Sequence, residues 1–186
     1  MTGDNVEYRA VEVPENLPSC DSIVQLCDDA GFCQNGVCFE IEGTPRFWIK
    51  YGVGITLGEA LTQNQVAQIV NADPTSVVRV PEVYFVFLRG LRRYIVMQHV
   101  AGDTVASRRL KEGKYVKGDV AAVAAVVKQL IGIRVPVGTP PGHVGGGPIG
   151  HDFFLECKST SEYPTVGHLQ DQINRVCFQV TFSTSH

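Results

Sequence analysis

The chain has no long apolar run. Its longest, Val120 to Val127, holds eight residues, against about 20 for a helix that crosses a bilayer, so no membrane partner is expected. Positive charge is not in surplus either, since 16 Lys and Arg face 19 Asp and Glu for a formal net charge of −3. That balance lacks the basic footprint of a nucleic-acid partner. Met1 to Ala10 carry neither the basic nor the apolar segment of a secretory signal, and the expectation is a soluble, cytoplasmic protein. None of the six cysteines forms a C-x-x-C pair, and no histidine lies near Cys20, Cys27, Cys33 and Cys38. A zinc site is therefore disfavoured, and reduced thiols are expected, several of them buried as small apolar side chains.

What is present is a globular composition, 44% hydrophobic and 19% charged over 186 residues. That is enough for one domain with a core or for two small lobes. Residues 1–19 are polar, contain Pro14 and Pro18 and show no sustained period, which predicts an irregular lead-in. Ser22 to Cys27 is apolar enough for a strand, and Asn35-Gly36 between apolar flanks signals a two-residue hairpin turn. In that hairpin Gln34 would pair with Val37 beside the turn, and Cys33 with Cys38 next, both as thiols. The second strand would run to about Glu42, with Gly43 to Arg46 as a turn.

Phe47 to Tyr51 then reads as a strand with Lys50 inside an aromatic-rich apolar run. Thr56-Leu-Gly-Glu59 fits the capping box, in which a threonine and a glutamate three residues on satisfy each other's free amides. The helix that follows carries Leu61, Val66, Ala67 and Val70 at helical spacing and stops near Asn71, ahead of Asp73-Pro74. Val83 to Leu88 and Arg93 to Met97 make a second hairpin around a turn at 89–92. Beyond the connector Gln98 to Gly102 the pattern becomes helical, with Asp119 expected to cap a largely buried helix from Val120 to Ile131. Pro136 to Gly150 holds four prolines and six glycines and reads as a long irregular loop. Thr165 to Val176 reads as a last helix, capped by Thr165.

A lysine on a strand facing a glutamate on a helix is a way to hold nucleotide phosphates. Two rival patterns fail on spacing. Gly52-Val-Gly54 with Gly58 is one residue off the dinucleotide fingerprint, and Gly145-Gly146-Gly147 is not followed by Gly-Lys-Ser/Thr. His143, His151 and His168 are too dispersed to argue for a metal.

The order hairpin, lysine strand, glutamate helix, hairpin, connector, helix resembles the small lobe and hinge of the protein-kinase-like fold. The words Phe47-Trp-Ile-Lys-Tyr-Gly, Gly58-Glu-Ala, Val80-Pro-Glu-Val-Tyr84 and Tyr94-Ile-Val-Met, with Gly102, are similar to the aminoglycoside and choline phosphotransferase-like kinases of fungal type. The resemblance implies that Lys50 meets the α- and β-phosphates of ATP and that Glu59 pairs with Lys50. It further implies that Met97, Gln98, His99 and Val100 form a hinge receiving the adenine edge, and that Asn35 and Gly36 stand where a loop covers the phosphates. ATP with Mg is the cofactor so implied.

The family's catalytic loop, His-Gly-Asp with an asparagine five residues after the aspartate, has no counterpart in these residues. Gly150-His151-Asp152 has the letters in another order, and the position five beyond Asp152 is Cys157. Asp171 and Asn174 are three apart on an expected helix. The fold expected is α+β: a kinase-like small lobe, an antiparallel sheet plus one helix, joined to an incomplete helical larger lobe. Its parts would be a lead-in at 1–19, the small lobe at 20–98, hinge and partial larger lobe at 99–176, and a divergent tail at 177–186. The function implied is a truncated, catalytically impaired phosphotransferase-family protein, a pseudokinase with residual nucleotide binding. The alternatives are a non-enzymatic binding or regulatory module on the same scaffold and a gene-prediction fragment. Helices left uncovered would expose an apolar face and favour self-association.

Overall fold

The computed structural model describes residues 4–31 and 36–183. The chain divides into two compact units, Met1–Ile133 and Arg134–His186, and the first is built on a five-stranded antiparallel sheet. Its strands are β1 (Asn5–Arg9), β2 (Val37–Ile41), β3 (Thr44–Gly52), β4 (Val83–Arg89) and β5 (Arg92–Gln98), in the spatial order β1-β4-β5-β3-β2. The helices of this unit are α1 (Cys20–Ala30), α2 (Leu57–Ala72), α3 (Val105–Glu112) and α4 (Lys117–Ile131). The class is α+β.

Both faces of the sheet are used, because side chains alternate along each strand. Phe47, Ile49 and Tyr51 of β3 join Phe87, Tyr94 and Val96 on one face, under Ile23 and Cys27 of α1. The rings of Phe87 and Tyr94 stack there at 4.6 Å between centroids. Ile95 and Met97 of β5 with Val83 and Val86 of β4 form the other face, under Ile55 and Ala60 at the start of α2. Two helices therefore pack on the sheet, one per face, where the sequence suggests only one.

The second helix is the segment read as a strand. Ser22 to Cys27 lies within α1, which is capped by Ser19, whose Oγ accepts from Ser22 N at 3.1 Å. A six-residue apolar run suits a strand or one side of a helix equally. The i, i+4 pair Ile23 and Cys27, 0% and 1% exposed, decides for the helix once a sheet face is there to cover. Burial pushes the Cys27 thiol up to about 12, so this cysteine packs as an apolar group.

The lead-in supplies an edge strand rather than irregular chain. β1 pairs antiparallel with β4, and Arg89 donates to Asp4 while Arg93 donates to Glu7 across the strands. The turn before the lysine strand is also shorter than read from the sequence. Glu42 and Gly43 take φ of 52° and 72°, two left-handed residues between Ile41 and Thr44, as a two-residue hairpin requires. Residues 32–35 lie outside the described residues, and with them the hairpin expected at Asn35 and the Cys33–Cys38 pairing.

The second hairpin, β4 and β5, and helix α2 lie where the periodicity places them. Helix α4 starts two residues before Asp119, after Val116 and without a side-chain cap. Asp119 instead accepts from Arg108 of α3 at 2.7 Å. Nor is α4 buried: Val120, Val123, Val127 and Ile131 are 46–79% exposed. In the second unit the Pro- and Gly-rich stretch 136–150 forms neither helix nor sheet strand. Helix α5 (Val166–Ser183) follows Thr165, whose Oγ1 accepts from His168 N at 3.3 Å, and it runs beyond the expected end at Val176.

Candidate functional site

The lysine strand is not an edge. β3 lies between β5 and β2, with Lys50 opposite Ile95, so its side chain is directed by the pleat alone. Phe47, Ile49 and Tyr51 face α1, which leaves Trp48 and Lys50 on the face shared with α2.

Helix α2 brings its first turn to that lysine. Thr56 is the N-cap, and its Oγ1 accepts from Glu59 N at 3.0 Å. In a full capping box the Glu59 carboxylate would turn back to the Thr56 amide. Here Oε1 of Glu59 accepts from Nζ of Lys50 instead. The backbone of Glu59 thus serves the cap and its side chain serves the lysine, so the two roles are held by different atoms of one residue. Both side chains remain about one-third exposed, 38% for Lys50 and 34% for Glu59. An ion pair in that setting contributes only about 0–1 kcal/mol to stability. Its geometry matters more: an ammonium held at a fixed point above the sheet, with solvent access.

The expected hinge begins beside this pair. Met97 is opposite Trp48, and Gln98 opposite Phe47. Met97 is buried at 6% exposure, and its Sδ accepts from Nε2 of Gln63 at 3.3 Å. Gln98 N donates to Glu82 O at 2.9 Å. Val100, beyond the end of β5, is 62% exposed. Lys50, Glu59 and Met97 at the end of β5 therefore share one side of the sheet, whereas Asn35 lies outside the described residues.

Trp48 has no role of its own in the sequence beyond its place in Phe47-Trp-Ile-Lys-Tyr-Gly. It is 37% exposed, two positions from Lys50 on the same face, and seated against the Gly36 backbone, where a Cβ would come within 2.7 Å of three indole atoms. Gly36 thereby contributes to this region as a seat for an indole. The signal in the sequence was the period-2 spacing of Trp48 and Lys50.

A cavity of about 670 Å3, lined among others by Tyr8, Asn64, Gln68, Asn71 and Tyr84, lies along α2, and neither Lys50 nor Glu59 lines it. We take the ion pair and not this groove as the candidate site, because Lys50 is an ammonium held in place by a helix carboxylate while keeping solvent access. Among the described residues no group of three or more His, Cys, Asp or Glu side chains could hold a metal ion, and no helix is long and apolar enough to cross a membrane. Comparison with protein families, with characterised proteins and with solved structures finds no match to this chain.

Proposed function

We propose that this chain is a nucleotide-binding domain of the protein-kinase-like type, akin to the aminoglycoside and choline phosphotransferases, with little or no phosphoryl transfer. The observation that carries the reading is the Lys50–Glu59 pair, a strand lysine held by a helix glutamate. In that role Glu59 orients the ammonium, and Lys50 neutralises charge on the α- and β-phosphates. The backbone amide and carbonyl groups of the connector at His99 and Val100 suit the edge of a base. Trp48, 37% exposed and two positions from Lys50 on the same face, adds an aromatic ring, and base stacking on such a ring is worth about 1–3 kcal/mol.

The residues fit the nucleotide better than its metal. Mg in such sites is held by an aspartate and a further ligand near the phosphates, and no such cluster stands among the described residues. The sequence also lacks the base-bearing His-Gly-Asp segment. We therefore derive no transfer step; the second reading is a binding or regulatory module on the same scaffold that uses the nucleotide site without turnover.

Calorimetric titration of the full chain with ATP, with and without Mg, tests the proposal. Wild type should bind, and Lys50→Ala should weaken binding about tenfold or more, the scale of one charge-assisted contact of about 1.5–3 kcal/mol. Equal binding by both proteins, or none by either, overturns it.

A further inference from the structure

Helix α2 has little apolar hold on the sheet. Over 16 residues it fully buries only Ala60, Ala67 and Val70, at 1–2% exposure, and alanines supply few of the contacts that fix a helix in place. Its polar side chains do more. Asn71 meets the backbone of Val80 twice: Nδ2 donates to Val80 O at 2.9 Å, and Oδ1 accepts from Val80 N at 3.0 Å. Gln63, one turn beyond Glu59, donates from Nε2 to Pro81 O at 2.9 Å and to Met97 Sδ at 3.3 Å. Arg79 closes the same seam by donating to Asn71 O at 2.9 Å. All these partners lie in the segment that enters β4 or at the end of β5.

We propose that Gln63 and Asn71 form an amide clamp that holds α2 against the entry to β4 and thereby keeps Glu59 on Lys50. The two amides are positioning residues: they touch neither member of the ion pair and act through the placement of the helix that carries Glu59. Because Gln63 also holds Met97, where the connector begins, the clamp joins the two halves of the candidate site through one side chain. It goes beyond the nucleotide reading, since it concerns the ion pair itself and stands whether or not a nucleotide binds.

The reactivity of Lys50 reads the clamp directly, because an ammonium held by a carboxylate offers no lone pair to an acylating reagent. The full chain is treated briefly with an acetyl N-hydroxysuccinimide ester, and acetylation at Lys50 is followed by peptide mass spectrometry, with Lys111, Lys114, Lys117 and Lys128 as internal references. Glu59→Gln should raise Lys50 acetylation severalfold relative to the references. Gln63→Met and Asn71→Leu should each raise it about 2- to 10-fold, the scale of one or two net hydrogen bonds. In the Glu59→Gln background the same changes should add nothing, since there is no longer a partner to misplace. Unchanged Lys50 acetylation in the clamp variants, or an effect that persists without Glu59, overturns the proposal. The uncharged Gln63→Leu and Asn71→Ala, which remove the amide without adding a charge beside the ion pair, replace any variant whose melting is not cooperative, with the same outcomes expected. Calorimetry with ATP in parallel separates the ideas: a wild type that binds no nucleotide but shows the acetylation pattern keeps the clamp and loses the proposed function.

Discussion

Trp48, the single tryptophan of the chain, leans on the backbone of Gly36, where an added Cβ would lie 2.7 Å from Nε1, Cε2 and Cζ2 of the indole. That separation is below any real carbon contact, so Gly36→Ala must displace the ring or the start of β2. The expected cost is about 1–3 kcal/mol, the range for overpacking a fitted contact. A lowered thermal midpoint together with a shifted tryptophan emission checks it, and the single indole makes the emission unambiguous. Restoration of the midpoint by a second change, Trp48→Phe, is expected because the smaller ring vacates the space. At this scale the sequence was legible for Lys50 and Glu59, whose types and spacing carry their chemistry. It was not legible for Gly36, which reads as a turn glycine until the cross-strand neighbour Trp48 is placed beside it.

Elements were readable where one period stood alone. Val83 to Arg89 and Arg92 to Gln98 carry enough aromatic and β-branched side chains to exclude a helix, and α2 announces itself through Thr56 and its helical spacing. Thr56→Ala should therefore destabilise the chain by about 1 kcal/mol, since Oγ1 is the acceptor for Glu59 N. A urea midpoint lowered at constant slope measures this, and Thr56→Ser should recover most of it. Two elements were misjudged because their evidence is tertiary. The apolar run in α1 is too short to show a period, and the helix is decided by the aromatic face that Ile23 and Cys27 cover. The alternation in Asn5 to Arg9 is five residues long, and its strand is settled by β4 and by the ion pairs of Asp4 with Arg89 and Glu7 with Arg93.

At the scale of the whole molecule, α4 carries an exposed stripe of Val120, Val123, Val127 and Ile131, spaced along one side of the helix. Apolar side chains left in water at that spacing favour association. Sedimentation velocity should show concentration-dependent oligomers, and Val123→Glu with Val127→Glu should return the chain to monomer with little change in its melting midpoint. A monomer at all concentrations in wild type would count against a docking role for this face. The sequence by itself determined the α+β class, the hairpin of β4 and β5, and the strand lysine and helix glutamate, because those features rest on local period, capping and side-chain chemistry. Only the tertiary structure decided that the glutamate turns to the lysine rather than back to its own cap, that two helices flank the sheet, and that α4 lies open. Those outcomes depend on which surface meets which, and the burial that selects among them is shared by residues far apart in the chain.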